Sequence, residues 1–357
     1  MKFLSRTLPG LVAAGMLAGA CSSDLPTAAM PEDHVAAKGG AGSTGYTSVN
    51  LGTLLGNHSS SARAVNDAGD VVGTSGAGAF AIVGGAVITL PGNAFFANGI
   101  SNSSPLYVAG SVQAQPVRWS IANGVASQPM ALQPGTASYG NADGVNDAGS
   151  TVGNAGPQAA IWDADGSLIV TLLPDGFVRG EGRGINNAGH AVLVFMTSGP
   201  TWSSARAHLR LASGDLVELA PLSGDVTSYA NDISEVSNNS VYVAGTSRTT
   251  PYVFRSVRWT VNVTTGQITD TQVRPENSHA LGVSNTGNVA GFLETNPERT
   301  PRFNAFLWRG SELLRLSPPK SGKDSQGWAM SPNGTFIAGD AVFGASRRAV
   351  RWAISSP

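Results

Sequence analysis

Residues 62–73 read ARAVNDAGDVVG, and the fold turns on how often that phrase returns. Close copies stand at 142–153 (ADGVNDAGSTVG), 182–193 (GRGINNAGHAVL) and 280–291 (ALGVSNTGNVAG). Looser copies stand at 97–110 (ANGISNSSPLYVAG), 230–245 (ANDISEVSNNSVYVAG) and 327–339 (GWAMSPNGTFIAG). Each holds a small residue, a spacer, a small residue and an aliphatic anchor. Asn or Ser follows, then a turn that ends in Gly and a second apolar run. The anchors are Val65, Ile100, Val145, Ile185, Ile233, Val283 and Met330, 35 to 50 residues apart. A repeat of that length is one supersecondary unit stacked on its neighbours.

The phrase supplies two short strands joined by a turn with Gly69, Gly149, Gly189, Gly287 or Gly334 at its end, where positive φ is expected. A third strand follows, ending at Trp119, Trp162, Trp259, Trp308 and Trp352 in five of the units. A fourth follows a further turn, as in DLVEL from Asp215 and ELLRL from Glu312. No helical stripe appears after residue 21. Four strands per unit, seven times, predict an all-β chain: a seven-bladed β-propeller over residues 46–357. The last unit lacks a fourth strand, while residues 46–56 (YTSVNLGTLLG) offer a strand with no unit before it. Docking that N-terminal strand on the last blade closes the ring and leaves no open edge. One and three positions before each anchor stand Gly or Ala, with Asp232 the exception. Strand alternation puts both on one face, turned to the crowded axis.

LGTLLGN from Leu51, AVNDAGDVVGTS from Ala64 and the AFAI that follows resemble the HAF-repeat proteins, bacterial extracellular proteins, as do GVNDAGSTVG and GINNAG. The His-Ala-Phe triplet survives only as Ala79-Phe80 and Ala305-Phe306. The resemblance covers residues 46–357. It implies an extracellular repeat protein and brings no catalytic residues with it.

The first 21 residues place Lys2 and Arg6 before an uncharged stretch that ends Ala18-Gly19-Ala20-Cys21. Eleven residues are too few to span a bilayer and suit a signal peptide. The segment resembles a bacterial lipoprotein signal, which implies removal of residues 1–20 and lipid on Cys21, the only cysteine. Ser22 after it implies the outer membrane rather than inner-membrane retention. Residues 21–45, rich in Pro and Gly, read as a tether about 25–30 Å in root-mean-square span. The protein is thus expected to be exported and membrane-attached, at the outer membrane or cell surface.

Composition narrows the chemistry. The chain has 357 residues, 45 of them Gly, with 13% charged and a net charge of −1. That balance argues against nucleic acid as a partner. One cysteine excludes a disulfide framework and a Cys-based zinc site. No HExxH, GxSxG or P-loop occurs, the five histidines are scattered, and no cofactor or metal is expected. Asp163-Ala164-Asp165-Gly166-Ser167 falls at a strand-to-strand turn and reads as one. In Arg118-Trp119, Arg258-Trp259 and Arg351-Trp352, alternation packs the Trp between blades while the Arg pairs or snorkels.

Function is sought where the frame holds and identity varies. Four positions before the anchors stand Ser61, Phe96, Asn141, Glu181, Tyr229, His279 and Gln326, expected to ring one mouth of the channel. Longer loops at 197–205 (Trp202), 246–255 (Arg248, Tyr252) and 292–303 (Glu294, Arg299) fall on the same face. Aromatics, amides and charges on a concave rim suit an extracellular glycan or protein ligand. The reading is a binding module. The alternative is an enzyme on extracellular polysaccharide, with Glu181 as its carboxylate beside Arg179 and Arg183.

Overall fold

The computed structural model describes residues 45–52, 54–56, 59–133, 137–197, 205–250, 253–295 and 301–355. Cys21 with the tether, Trp202, Tyr252 and Arg299 lie outside them. The described residues form antiparallel β-structure with one 3-10 turn, Leu54–Gly56.

The sheets follow the repeat. Ser60–Val65, Val71–Ser75, Gly78–Val83 and Ala86–Thr89 pair in sequence order. So do Gly140–Val145 to Leu168–Leu172, and Arg179–Ile185 to Leu216–Leu219. The second unit, Ala94–Ile100 onward, ends in two short pieces, Val125–Ala126 and Met130–Ala131, both on Gln115–Ala122. The fifth and sixth units share one long strand, Ile268–Val283, whose first part pairs Val253–Asn262 and whose last part pairs Val289–Thr295. The two units therefore form one seven-stranded sheet. In the seventh unit, Tyr46–Gly52 lies on Ser346–Ile354, with Tyr46 opposite Ile354 and Asn50 opposite Val350. The Tyr46 hydroxyl also accepts from Ser317 N at 2.8 Å.

Each first strand lies against the first strand of the next unit, and Ser60–Val65 also touches Gly322–Met330 and Phe336–Phe343 of the seventh. The cores sit between sheets. One joins Val192, Ala207 and Leu209 to Val241, Val257 and Trp259; another joins Ala290, Ala305 and Leu307 to Ile337, Val350 and Trp352. Trp119, Trp162, Trp259, Trp308 and Trp352 are fully buried. Sheets buried on both faces have little room for charge, which accounts for the 13%.

The turns tie units together. In the first unit the Asn66 side-chain oxygen accepts from Ala68 N and Asp70 N, while its amide donates to Ser101 O of the second. Asn146 and Asn186 do the same toward Asn186 O and Ser234 O. Where Ser replaces Asn, as at Ser234 and Ser284, the shorter side chain closes its own turn and does not reach across. One residue further on, a head-to-tail series runs through every unit. Asp67 N donates to Asn102, Asn102 to Asp147, Asp147 to Asn187, Asn187 to Glu235, and Glu235 to Asn285. Asn285 N donates to Pro332 O, and Asn333 N returns to Asp67 Oδ1 at 2.8 Å.

The Arg-Trp pairs divide as strand alternation requires, but Arg118 and Arg258 are buried rather than snorkelling. Each arginine donates to the turn glycine of the following unit: Arg118 to Gly149 O, Arg258 to Gly287 O and Arg351 to Gly69 O. Each also stacks on an aromatic ring of its own unit, Tyr107, Tyr242 or Phe336. Residues 163–167 form a turn, with Gly166 N on Asp163 O and Ser167 N on Asp165 Oδ1.

Candidate functional site

The site is built by a β-bulge that recurs in all seven units. Pairing slips between Ala62 and Ala64, and likewise at Ala97/Gly99, Ala142/Gly144, Gly182/Gly184, Ala230/Asp232, Ala280/Gly282 and Gly327/Ala329. The residue in each gap is unpaired and re-aimed. These seven, Arg63, Asn98, Asp143, Arg183, Asn231, Leu281 and Trp328, line a central space of about 170 Å³. The bulge corrects the expectation that both small residues share one face. A Cβ on Gly182, three before its anchor, would meet Val152 and Gly153 of the preceding unit. A Cβ on Gly144 or Gly184, one before, would meet backbone of the following unit. The small residues separate neighbours on opposite sides. The bulge also explains the Gly of the second strand: a Cβ on Gly73, Gly153 or Gly291 would run into the carbonyl oxygen of Ser61, Asn141 or His279.

Within the channel, two carboxyls are shifted. Burial raises that of Asp143 to about 6; Arg183 pulls it down, Glu181 pushes it up, and the Asn141 amide pulls it down. Asn98 and Asn141 both donate to its Oδ1, at 3.1 and 2.6 Å. Burial raises that of Asp232 to about 7 against backbone donors Val283 N and Ile233 N. The one non-small residue in its position thus ties the fifth unit to the sixth.

On the side of the first-strand starts, a cavity of about 500 Å³ opens across the fourth to seventh units. On one side Glu181 sits between two guanidinium groups, Arg179 Nη2 on Oε1 at 2.6 Å and Arg183 Nη2 on Oε2. Alternation along Arg179–Ile185 brings 179 and 181 to one side, and the bulge turns 183 toward the same cavity. On the other side the His279 ring stacks on Phe292 and lies tilted against Phe254, with centroids 4.6 and 4.4 Å away. Its Nε2 lies 3.6 Å from Glu294 Oε2. Arg248 lies over Phe254, and Phe292 meets Trp328 edge-on at 5.9 Å. Tyr229, Asn231 and Thr246, with Met196 and Leu281, complete the lining. A carboxylate engaged at both oxygens orients the two arginines.

The expected mouth residues therefore divide. Glu181, Tyr229 and His279 come together in the cavity. Asn141 turns toward Asp143, and Phe96 is exposed outside the cavity. Ser61 and Gln326 are buried in a network around Asp340, which accepts from Ser61 Oγ, Trp328 Nε1 and Arg347; Arg347 also donates to Gln326. Phe254 and Trp328 were not singled out by the sequence pattern. The spacer position is the available signal, since it varies between two small residues in every copy but the one with Asp232.

No family model matches the sequence, and no curated protein matches it either. Among solved structures, the chain is similar to the extracellular domain of the hybrid two-component system BT4673 from B. thetaiotaomicron. The TM-score is 0.51 at 11% identity, over 85% of this chain and 39% of that one. It is also similar to a subtype N11 neuraminidase-like protein of A/flat-faced bat/Peru, with TM-score 0.44, 13% identity, and 73% and 88% of the two chains. A third is the β-propeller domain of the Trilobed protease from Pyrococcus furiosus, with TM-score 0.33, 10% identity, and 69% and 63% covered. The chain thus spans about two fifths of the first of these. At such identities likeness concerns fold alone. The fold is all-β and propeller-like.

Proposed function

We propose that residues 46–357 are a seven-bladed β-propeller, closed by Tyr46–Gly52 on the last blade, that serves as the binding module of an exported, membrane-anchored protein. The blade count is supported by seven repeats, seven bulges and the hydrogen-bond series that returns from Asn333 to Asp67. Its ligand, an extracellular glycan or protein segment, sits among Glu181, Tyr229 and His279. One observation carries this: variable positions of four successive units converge on one cavity, while the constant positions of the same units hold the sheets together. The resemblance to HAF-repeat proteins and the lipoprotein-type signal support an extracellular setting with lipid on Cys21.

A glycan array probed with the full chain tests the module. Tyr229→Ala should weaken any hit at least tenfold, and Phe96→Ala should leave it unchanged. Binding that survives Tyr229→Ala removes the cavity as the site. For the anchor, Cys21→Ala should move the protein from the membrane to the soluble fraction; unchanged membrane association would overturn lipidation.

A further inference from the structure

One wall of the cavity presents guanidinium groups to its interior. Arg179 and Arg183 share the single carboxylate of Glu181, so the trio carries one positive charge in excess. Both guanidinium groups keep further N–H donors, and Arg179 is half exposed at 51%. Of the nearby carboxyls, Asp143 faces Arg183 while accepting from Asn98 and Asn141 on the channel side, and Glu294 lies 3.6 Å from His279. Arg248 lines the same space. On the opposite wall the His279 ring packs between Phe254 and Phe292 with its Nε2 toward Glu294.

Two buried polar groups beside the cavity have no partner among the described residues. Thr246 lines the cavity at 4% exposure, and its hydroxyl has no hydrogen bond among the described residues. The Arg183 Nε is likewise buried without an acceptor. Unsatisfied buried groups are uncommon in folded proteins, and each calls for an explanation.

We propose that this cavity takes a carboxylate-bearing sugar, with the carboxylate on Arg179 and Arg183 and the sugar hydroxyls toward Tyr229, Asn231 and Thr246. A guanidinium fork matches a carboxylate in plane and spacing. Neutral hydroxyl and amide groups beside it suit a polyhydroxyl body, and about 500 Å³ is room for one or two sugar rings. The assignment rests on the reading of the cavity as the ligand site.

The experiment is calorimetric titration of the full chain with digalacturonate, with the same disaccharide after reduction of its carboxylates to alcohols, and with sodium sulfate at matched ionic strength. Digalacturonate should bind at least tenfold more tightly than the reduced sugar, and Arg179→Gln should remove that preference without lowering the melting temperature. Thr246→Val should weaken both sugars by a similar factor. Equal affinity for the two sugars overturns the selection of an anion and leaves the cavity as a sugar site. Displacement by equimolar sulfate makes it a general anion site and overturns the sugar. No binding of digalacturonate overturns the inference alone if Tyr229-dependent array hits remain; their absence as well overturns the reading of the cavity.

Discussion

Asp143 stands at a bulge, between two residues of no size, with its carboxyl in the channel. Its pKa of about 6 lies above the usual carboxylate value near 3.8 because burial outweighs the pull of Arg183. A carboxyl raised on folding binds its proton more tightly in the native state. Its stabilising contribution is therefore full below about pH 4 and lost as pH rises through about 6. Asp143→Asn should remove that dependence. Urea denaturation should find the variant more stable than the parent at pH 8, by about 1–3 kcal/mol, and closely matched at pH 4. Such a residue is hard to anticipate from sequence. Strand alternation assigns Asp143 to the side away from Ala142 and Gly144, and the extra bulge residue breaks that rule at this point. The only trace the bulge leaves is on the partner strand, where Gly153 clears the Asn141 carbonyl. In the fourth unit even that trace is missing, since Leu193 stands there opposite Gly182.

Turns and strands were easier to anticipate than bulges. Anchors, turn glycines and four strands per unit follow from period and residue type, because an Asn-x-x-Gly turn and an apolar alternating run have strong local signatures. The continuous strand Ile268–Val283 has none, since Pro275 within it reads as a break. The Asn of the turn proves to have two duties, and the Ser variants separate them. Asn186 is buried, closes its own turn through His190 N at 3.0 Å and reaches Ser234 O at 3.0 Å. Asn186→Ala loses both bonds and should cost about 2–3 kcal/mol in thermal or chemical denaturation. Asn186→Ser, which copies Ser234 and Ser284, should recover about half of that. Equal losses in the two variants would mean that the tie between units contributes nothing.

Across the whole molecule, the decisive contacts join residues more than 260 positions apart: Asn333 to Asp67 and Arg351 to Gly69 at the turns, and Ser61 to Asp340 at the strands. The strand Tyr46–Gly52 adds the outer partner of Ser346–Ile354 and buries Tyr46 and Leu51. A chain that begins after Leu55 should therefore melt at least 10 °C lower than the full chain, or aggregate through the bared edge. Scanning calorimetry checks this, and an unchanged midpoint would remove the strand from the fold's support. At the outer edge of that sheet, Ser355 N donates to Gly45 O at 2.6 Å, so the path enters and leaves at one spot. Splicing those two residues together would turn the polypeptide into a loop without beginning or end. Fresh termini could then be cut at any surface turn between units, such as 173–176, and a permuted chain should find the same arrangement from a different starting point.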